Sequence, residues 1–328
     1  MRHLSTEYEA SLFMIRQAAK APSGHNTQPW RFRIGVGQIE IHPDYTKSLP
    51  VVDPDNRELF VSLGCATENL CLAAEYLGYV PSVSISDDGI ITVCLLRGDT
   101  KGDEKDVSLF DQIDLRQTNR SVYDGGMITE EGMAALADID LEDGVDLHLY
   151  PNGIKSYDVI ARYVCEGNTH QMRDPSFKAE LKSWMRYNKK HQDETLDGLS
   201  YAVFGAPNVP RFIAKCFISS AINEATQNKA DRRKIKSSAL FVLFTTRNNT
   251  RAEWISLGRV LERFLLKSTA LGIAHAYMNQ PNEVSALSRC LATELNLAEK
   301  YPTILLRLGY AKRMPYSKRR QIEDILFK

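Results

Sequence analysis

Several features that mark other protein classes are missing from this chain of 328 residues. Its 41 basic and 41 acidic side chains cancel, so no overall field attracts nucleic acid or an anionic membrane. The longest apolar run, residues 239–244, is too short to cross a bilayer. The first twenty residues are charged and hold only a short apolar run, unlike a signal peptide. We therefore expect a cytoplasmic protein with no nucleic-acid or membrane partner.

Metal and dinucleotide signatures are also missing. The six cysteines form no C-x-x-C pair, and none stands at metal-ligand spacing from a histidine. This usage predicts reduced thiols and no metal site. No G-x-G-x-x-G fingerprint occurs, so nothing indicates a Rossmann-type nicotinamide site. What remains is ordinary globular composition, with 43% hydrophobic and 25% charged residues.

One internal repeat is present. Residues 62–79 align without a gap on residues 256–273, at a constant offset of 194, and seven positions are identical. Both segments place apolar residues at steps of three and four, which predicts amphipathic helices. Gly78 and Gly272 follow as predicted C-terminal stops. Two buried helices can resemble each other by chance, but the shared Ser-Leu-Gly opening and Leu-Gly closing favour duplication.

The rest of the chain divides around the polar segment 97–106, which reads as a linker. The predicted halves are residues 1–105 and 107–328. Strand-like runs interleave with helices in both halves and predict an α+β or α/β architecture; they are WRFRI, QIEIH, SVSIS, IITVCLL, VDLHLY, ALFVLFTT and TILLRLGY. Residues 153–236 have few such runs and many aromatics, which predicts a helical insertion in the second half.

The segment Ala19–Ile34 concentrates polar side chains in a turn. A helix is predicted to end near Lys20, Pro22 and Gly24 mark the turn, and Pro29 precedes a strand. Gly24 would let a ligand ring approach the backbone, and short polar side chains offer donors and acceptors. Those side chains are Ser23, His25, Asn26, Thr27 and Gln28. Composition alone favours the alternative, a loop that its own side chains stabilise.

Two basic clusters follow. Arg116 and Arg120 are four residues apart with Thr118 between them, so on a helical turn they would share a face. Two guanidinium groups aimed at one place suit a phosphate or a carbonyl-rich ring. Near the C-terminus, five basic residues lie between Lys312 and Arg320. A solvated basic edge and a basic tail are the alternatives.

Together these segments resemble the FMN-dependent nitroreductase family. That family has an R-x-S-x-R-like element, a P-S-x-x-N-x-Q-P-W loop, a helix closing in Leu-Gly, and a late L-G-Y strand followed by basic residues. The matching elements here are Arg116–Arg120, with Thr118 in place of serine, Pro22–Trp30, the repeated helices, and Leu308–Tyr310 followed by Arg319 and Arg320.

The order of the elements implies a particular branch. In typical members the arginine element precedes the loop and two subunits share each FMN, whereas here the loop comes first. The chain is similar to the twinned, single-chain, Acg-like branch, in which two fused nitroreductase-like halves form a pseudo-dimer and residues 153–236 correspond to a lid. Only one complete set of motifs is present, so the resemblance implies one FMN per chain and a protein that needs no second copy.

The resemblance also implies roles for individual residues. One set would meet the flavin ring, a second set the flavin and its phosphate, and a third would complete the phosphate contacts. These sets are Ser23, Gly24, Asn26 and Gln28; Arg116, Thr118 and Arg120; and Arg319 with Arg320. His25 or His275 could protonate an acceptor, with His275 the better placed, although a structural hydrogen bond explains either.

The implied activity is hydride transfer from NAD(P)H through FMN to a quinone-like or nitro acceptor. Two alternatives stay open at this point. The protein could sequester FMN beneath its lid with little turnover, or it could be an interaction protein that uses its basic tail and binds no flavin.

Overall fold

A computed structural model describes residues 6–98 and 109–327. Its helices are α1 (Glu7–Ala18), α2 (Arg57–Tyr76), α3 (Glu130–Ala137), α4 (Lys155–Arg173), α5 (Pro175–Trp184), α6 (Lys189–Thr195), α7 (Arg211–Ala221), α8 (Glu224–Lys236), α9 (Arg251–Ala270), α10 (Ser285–Glu294) and α11 (Ile322–Ile325). Its strands are β1 (Trp30–Gly35), β2 (Gln38–Pro43), β3 (Tyr79–Ile85), β4 (Ile91–Arg97), β5 (Val145–Pro151), β6 (Met185–Arg186), β7 (Leu199–Ser200), β8 (Leu240–Thr246), β9 (Ala274–Tyr277) and β10 (Tyr301–Gly309).

Two antiparallel four-stranded sheets form the frame. The first has the order β1-β2-β4-β3 and the second the order β5-β8-β10-β9. Every residue of β8 is buried, which indicates that both faces of the second sheet are covered. All seven predicted strands are present, and the mixed helix-and-sheet class is confirmed. The four residues of β9 were not predicted, because so short a buried strand has no alternating pattern.

The repeated segments form the central helix pair, α2 and α9. Both helices have 20 residues, and their bounds differ by the same 194 positions as the repeat. Each is followed by its predicted glycine in the left-handed region, Gly78 with φ 82° and Gly272 with φ 69°. This is the usual way for a helix to end. The prediction of two equivalent helices with equivalent ends is therefore confirmed.

The two helices cross at a glycine pair. A Cβ added to Gly64 would lie 2.1 Å from the carbonyl oxygen of Ile255, and one added to Gly258 would lie 2.1 Å from that of Val61. The contacts are reciprocal at the offset of 194, as in an interface with two-fold symmetry. One buried apolar cluster continues through this crossing from Phe32 in the first sheet to residues of the second.

The insertion at 153–236 is helical, as predicted, apart from the two-residue strands β6 and β7. Its ends nevertheless belong to the core of the second half. Tyr157 and Ile160 of α4 and Ile235 near the end of α8 pack with Phe241 and Leu305 of the second sheet. The middle of the insertion is therefore the part that is free to cover another part of the molecule, and its role as a lid stays a prediction.

Two further segments connect distant parts of the chain. The C-terminal residues return to the first sheet, where Phe327 donates its backbone N–H to the Phe32 carbonyl at 2.9 Å. Of the predicted linker, Arg97 ends β4 and Gly98 follows it, while residues 99–106 lie outside the described part. Within residues 6–98 and 109–327, no helix has the length and apolar character of a membrane span.

Candidate functional site

A cavity of about 630 Å³ lies between α2, the middle of the insertion, β9 and the C-terminal segment. Both polar segments that the sequence predicts to share a site border it. Ser23, Gly24 and Asn26 contribute from the first half, while Arg116, Thr118 and Arg120 contribute from the second. The two segments therefore lie across a single cleft rather than on opposite surfaces.

The arginine segment reaches the cavity in a way the sequence did not predict. It is extended rather than helical: Thr118 forms an isolated parallel bridge with His275, and Asn119 donates its N–H to the His275 carbonyl at 2.8 Å. Side chains alternate along an extended chain, so positions 116, 118 and 120 point the same way. The predicted helical turn is wrong, but the convergence of the two arginines holds.

Arg116 is paired inside the protein. Its Nε lies 3.3 Å from Oε1 of Glu262 on α9, and both side chains are buried. Its NH2 group donates to the Lys20 carbonyl at 2.7 Å. Burial raises the pKa of Glu262 to about 7, although Arg116 and then the amide of Asn69 lower it. Neither carboxylate oxygen has a well-aligned hydrogen bond, so this is a charge pair without ideal geometry.

Arg120 has no such partner. No hydrogen bond or ion pair joins its side chain to a described residue, and its guanidinium carbon lies 5.6 Å from the ring centroid of Phe204 in the insertion. Burial lowers its pKa to about 10, which still leaves it charged at neutral pH. Burial and then Arg120 lower the pKa of neighbouring His25 to about 4, so that imidazole is neutral. The cavity thus contains an uncompensated positive charge.

The loop 22–28 adopts an unusual backbone. His25, Asn26 and Gln28 have φ values of 49°, 55° and 54°, a region that costs a non-glycine residue free energy unless its surroundings fix it. Within the loop, Ser23 Oγ accepts from the Gln28 N–H at 3.0 Å. Gly24 is tightly enclosed, since an added Cβ would lie 3.2 Å from Leu49.

Asn26 and Gln28 fix this loop to the rest of the protein. The Asn26 amide donates to the carbonyls of Gly198 at 3.1 Å and Lys318 at 3.2 Å. The Gln28 amide donates to the Leu196 carbonyl at 2.9 Å. Gln28 does not border the cavity. These amides join the loop to the insertion and to the C-terminal segment.

The two C-terminal arginines differ in position. Arg319 borders the cavity, but its donors reach the carbonyls of residues 19–21, just after α1, and Asn26 Oδ1. A cation at a helix C-terminus is favourable there. Arg320 points elsewhere: it donates to the Asp324 carbonyl at 2.8 Å and lies 3.7 Å from Asp44.

His275 is buried away from the cavity. Its Nδ1 lies 2.8 Å from the Ser268 hydroxyl, and burial followed by Arg116 lowers its pKa to about 3. It does not border the cavity. A structural hydrogen bond to Ser268 therefore explains His275. Its position outside the cavity gives no support to direct proton transfer to a bound acceptor.

Sequence reasoning missed the acidic end of the cavity. Glu58 and Glu283 border it, hydrogen-bonded by the amides of Asn279 and Gln171 respectively. Burial, Glu283 and then Asp53 raise the pKa of Glu58 well above its usual value. These residues lie more than 200 positions apart and belong to no recognisable motif, so no sequence signal could have joined them.

The position equivalent to Glu262 in the first repeat is also a glutamate, Glu68, but it has different partners. Glu68 accepts from Arg259 Nε at 3.0 Å and from Arg263 Nε at 2.6 Å, and both arginines also contact Glu142 at 2.9 Å. Arg259 and Arg263 stand 194 positions after Cys65 and Asn69. Arg259 therefore stands at the repeat position that corresponds to Cys65, which borders the cavity, and Arg263 stands at the position that corresponds to the buried Asn69.

Known proteins provide an independent comparison. No family model matches the chain. Two relatives from Mycobacterium tuberculosis H37Rv carry the names "Putative NAD(P)H nitroreductase Rv3131" and "Putative NAD(P)H nitroreductase acg". The first is 26% identical over 95% of this chain and 90% of its own length. The second is 23% identical over 95% of this chain and 93% of its own length.

Solved structures give a weaker likeness. The FMN-dependent nitroreductase NfnB of Mycobacterium smegmatis, in complex with NADPH, has a TM-score of 0.43 and 14% identity over 66% of this chain and 96% of its own. A structure from Anabaena variabilis, described as "a putative nitroreductase", has a TM-score of 0.48 and 10% identity over 84% of this chain and 69% of its own. The sequence relatives thus confirm, over nearly the whole chain, its resemblance to the nitroreductases of the acg type.

Proposed function

We propose that this cavity binds one FMN and that the chain is an FMN-dependent NAD(P)H oxidoreductase of nitroreductase type. The observation that carries the proposal is Arg120, a charged and unpartnered guanidinium that faces the Ser23–Asn26 loop across the cavity. An anionic ligand would compensate that charge. The volume of about 630 Å³ lies within the range usual for cofactor sites.

The residues divide into direct contacts and positioning residues. Ser23, Gly24, Thr118 and Arg120 would touch FMN, and Arg116 would add its remaining donors. Asn26, Gln28 and Arg319 would act indirectly, because their side-chain bonds hold the loop and the tail in place. Arg320 would contribute only its backbone N–H, which donates to Gln28. Bound FMN would supply hydride transfer to a quinone-like or nitro acceptor, and the protein's task is to bind, orient and exclude water.

We also propose that residues 1–105 and 107–328 form a pseudo-dimer with a single flavin site. The reciprocal contacts of Gly64 and Gly258 support the two-fold relationship. The cluster of Arg259 and Arg263 with Glu68 supports the loss of the second site, since it fills the equivalent space. Reconstituted protein should therefore bind one FMN per chain.

Replacing Arg120 with alanine should weaken FMN binding by about 10- to 100-fold, because a charge-assisted hydrogen bond contributes roughly 1.5–3 kcal/mol. Folding should be unaffected, since Arg120 has no carboxylate partner to leave behind. Equilibrium titration of apoprotein with FMN, followed by flavin fluorescence, measures the change.

Arg320→Ala is the matched control. Its side chain lies outside the cavity, and the bond to Gln28 comes from its backbone N–H, which alanine retains. We expect wild-type FMN affinity. If Arg120→Ala folds normally and binds FMN as tightly as Arg320→Ala, the assignment of this cavity is wrong.

Turnover is proposed over storage, although the bonds of Leu196 and Gly198 to the loop could hold the insertion closed over FMN. The holoprotein should lose its flavin absorbance on addition of NADPH or NADH and regain it when a quinone is added. Persistent absorbance with both donors would favour sequestration of FMN instead.

A further inference from the structure

Two carboxyl groups in the wall of the cavity contact each other. Glu58 lies in the first turn of α2 and Glu283 lies just before α10. Both border the cavity, and a hydrogen bond joins their side chains. An ionised carboxylate can only accept hydrogen bonds. A bond between two carboxyl groups therefore requires that one of them carries a proton.

The other hydrogen bonds of the pair come from neutral amides. Asn279 donates its side-chain amide to Glu58 Oε1, and Gln171 donates its amide to Glu283 Oε2. Amides of this kind fix the positions of the carboxyl groups but do not cancel their charge. Two carboxylates in contact, both ionised, would repel each other, so one proton stays between them.

The nearest charged groups favour the same state. Asp53, which precedes α2, adds a further negative charge, and burial raises its own pKa. Arg57 is the nearby cation, but its NH2 group donates to the Asn282 carbonyl at 2.8 Å. Burial and then the neighbouring carboxylates raise the pKa of Glu58, and Arg57 offsets this only in part. The pair therefore retains its proton at neutral pH.

Other titratable side chains in the cavity wall are poorer proton donors. Burial raises the pKa of the Tyr277 hydroxyl and of the Cys65 thiol well above their usual values. His25 is neutral at pH 7, because burial and then Arg120 lower its pKa to about 4. The carboxyl pair is therefore a better source of a proton than any of these three groups.

The pair also lies beside the loop that is proposed to contact FMN. A Cβ added to Gly24 would lie 3.4 Å from Oε2 of Glu58. Apolar side chains enclose this end of the cavity, and they are Leu49, Val52, Met172, Phe177 and Ile222. An apolar enclosure excludes water, so the protein itself is the nearest source of a proton for a molecule bound here.

A further polar atom in this part of the wall has no partner. Gln280 borders the cavity, and its amide donates to Asn168 Oδ1 at 3.2 Å. Its Oε1 is buried and accepts no hydrogen bond from a described residue. Gln280 and Glu283 are three residues apart, as are their partners Asn168 and Gln171 on α4. A buried acceptor without a donor favours a ligand that carries a hydroxyl group next to the carboxyl pair.

We propose that the Glu58–Glu283 pair donates a proton to a quinone-type acceptor, an inference that rests on the proposed function. Reduction of a quinone to a hydroquinone consumes one hydride, which the bound cofactor would supply, and one proton. The hydride forms the first O–H bond and leaves a phenolate oxygen, which takes the proton of the pair. The pair, now doubly ionised, takes up a proton from water when the product leaves.

The direction of this transfer is favourable. The ordinary pKa of a phenol is about 10, whereas buried glutamates with raised pKa values reach about 8–9. The phenolate oxygen is therefore the stronger base. The hydroquinone formed could then donate its new O–H to Gln280 Oε1.

Infrared spectroscopy tests for the shared proton without turnover. At pH 7 the full chain, as purified, should show the C=O stretch of a protonated carboxylic acid, identified by its shift in D2O. Glu58→Gln should lose this band, because the glutamine amide can donate to Glu283 and allow it to ionise. Asp55→Asn is the matched control, since Asp55 is exposed and does not border the cavity. Equal bands in wild type and Glu58→Gln would overturn the proposal.

Stopped-flow kinetics test the donor role. After reduction with NADPH or NADH, Glu58→Gln holoprotein should be reoxidised by a benzoquinone about 100- to 10,000-fold more slowly than wild type, the usual contribution of a general acid. The wild-type rate should fall as pH rises and the pair loses its proton, whereas the rate of Glu58→Gln should not. Asp55→Asn should behave like wild type.

Ferricyanide separates proton donation from a structural role, because it accepts electrons without a proton. Glu58→Gln should be reoxidised by ferricyanide at the wild-type rate. Equal slowing with both acceptors would assign the pair a structural role, and unchanged quinone rates would refute proton donation while leaving the oxidoreductase assignment intact. Failure of NADPH and NADH to reduce wild type would refute the proposed function and the donor role together, and the infrared band would still report the shared proton.

Discussion

Gly64→Ala should destabilise the protein by about 2 kcal/mol or more. The new methyl group would lie 2.1 Å from the Ile255 carbonyl oxygen and 2.8 Å from the Cα of Gly258, and both are backbone atoms that cannot move without separating α2 from α9. Overpacking a rigid core costs about 1–3 kcal/mol and sometimes more. Alanine is otherwise the better helix former by about 1 kcal/mol. A net loss of stability would therefore come from the close contact between α2 and α9. Urea unfolding measures it.

Because the contacts of Gly64 and Gly258 are reciprocal, the same loss of stability is expected from either side of the crossing. Gly258→Ala should cost a similar amount, and the double variant should cost less than the sum, because both methyl groups force the same helices apart. Gly132→Ala in α3 is the control, since its new methyl would meet side-chain atoms of Ile128, at 2.9 Å, and Thr129, at 3.4 Å, and no backbone atom. Equal stability of Gly64→Ala and Gly132→Ala would contradict the observed crossing.

Arg116→Met should destabilise the protein by about 3 kcal/mol or more above neutral pH and by much less at mildly acidic pH. The substitution leaves Glu262 buried without its cation, and breaking a buried ion pair from one side is costly. Protonation relieves that cost. The double variant Arg116→Met/Glu262→Gln should recover most of the loss, because no uncompensated charge remains.

The single variant Glu262→Gln isolates the pH dependence. Burial raises the pKa of Glu262 from 4.5 to about 7, so the folded state holds this proton more tightly than the unfolded chain. Its contribution of about 3 kcal/mol is present below the unfolded pKa and is lost as pH rises through 7. The stability of wild type relative to Glu262→Gln should therefore fall over that interval. A pH-independent difference would show that Glu262 does not titrate there.

Much of the frame is predictable from local pattern. The strands of the two sheets follow period-two alternation or short apolar runs, and the ends of α2 and α9 follow from Gly78 and Gly272, whose left-handed backbone suits glycine. The meeting of the loop and the arginine segment followed from family resemblance. The helical turn expected for Arg116 and Arg120 failed because pairing with His275 extends that segment.

The sequence did not predict which polar residues are free to bind a ligand and which are used to hold the loop and the tail. Asn26, Gln28 and Arg319 bond to groups as far as 300 positions away in the chain, and those bonds decide which donors remain for a ligand. Arg116 has a facing carboxylate and a carbonyl acceptor that Arg120 lacks, and that carboxylate, Glu262, comes from a distant helix. Local sequence contains no information about such pairings.

The arginines at 259 and 263 have a consequence for how the molecule can change over time. In an assembly of two identical chains, any replacement at a subunit contact occurs twice, so a residue that blocks one cleft also blocks the other. In this chain the two sides of the helix crossing are encoded separately, so a replacement on one side leaves the other side unchanged. In the proposed pseudo-dimer, the side with Cys65 can keep its ligand cavity while Arg259 and Arg263 on the other side form ion pairs with Glu68, which add rigidity instead of binding a ligand.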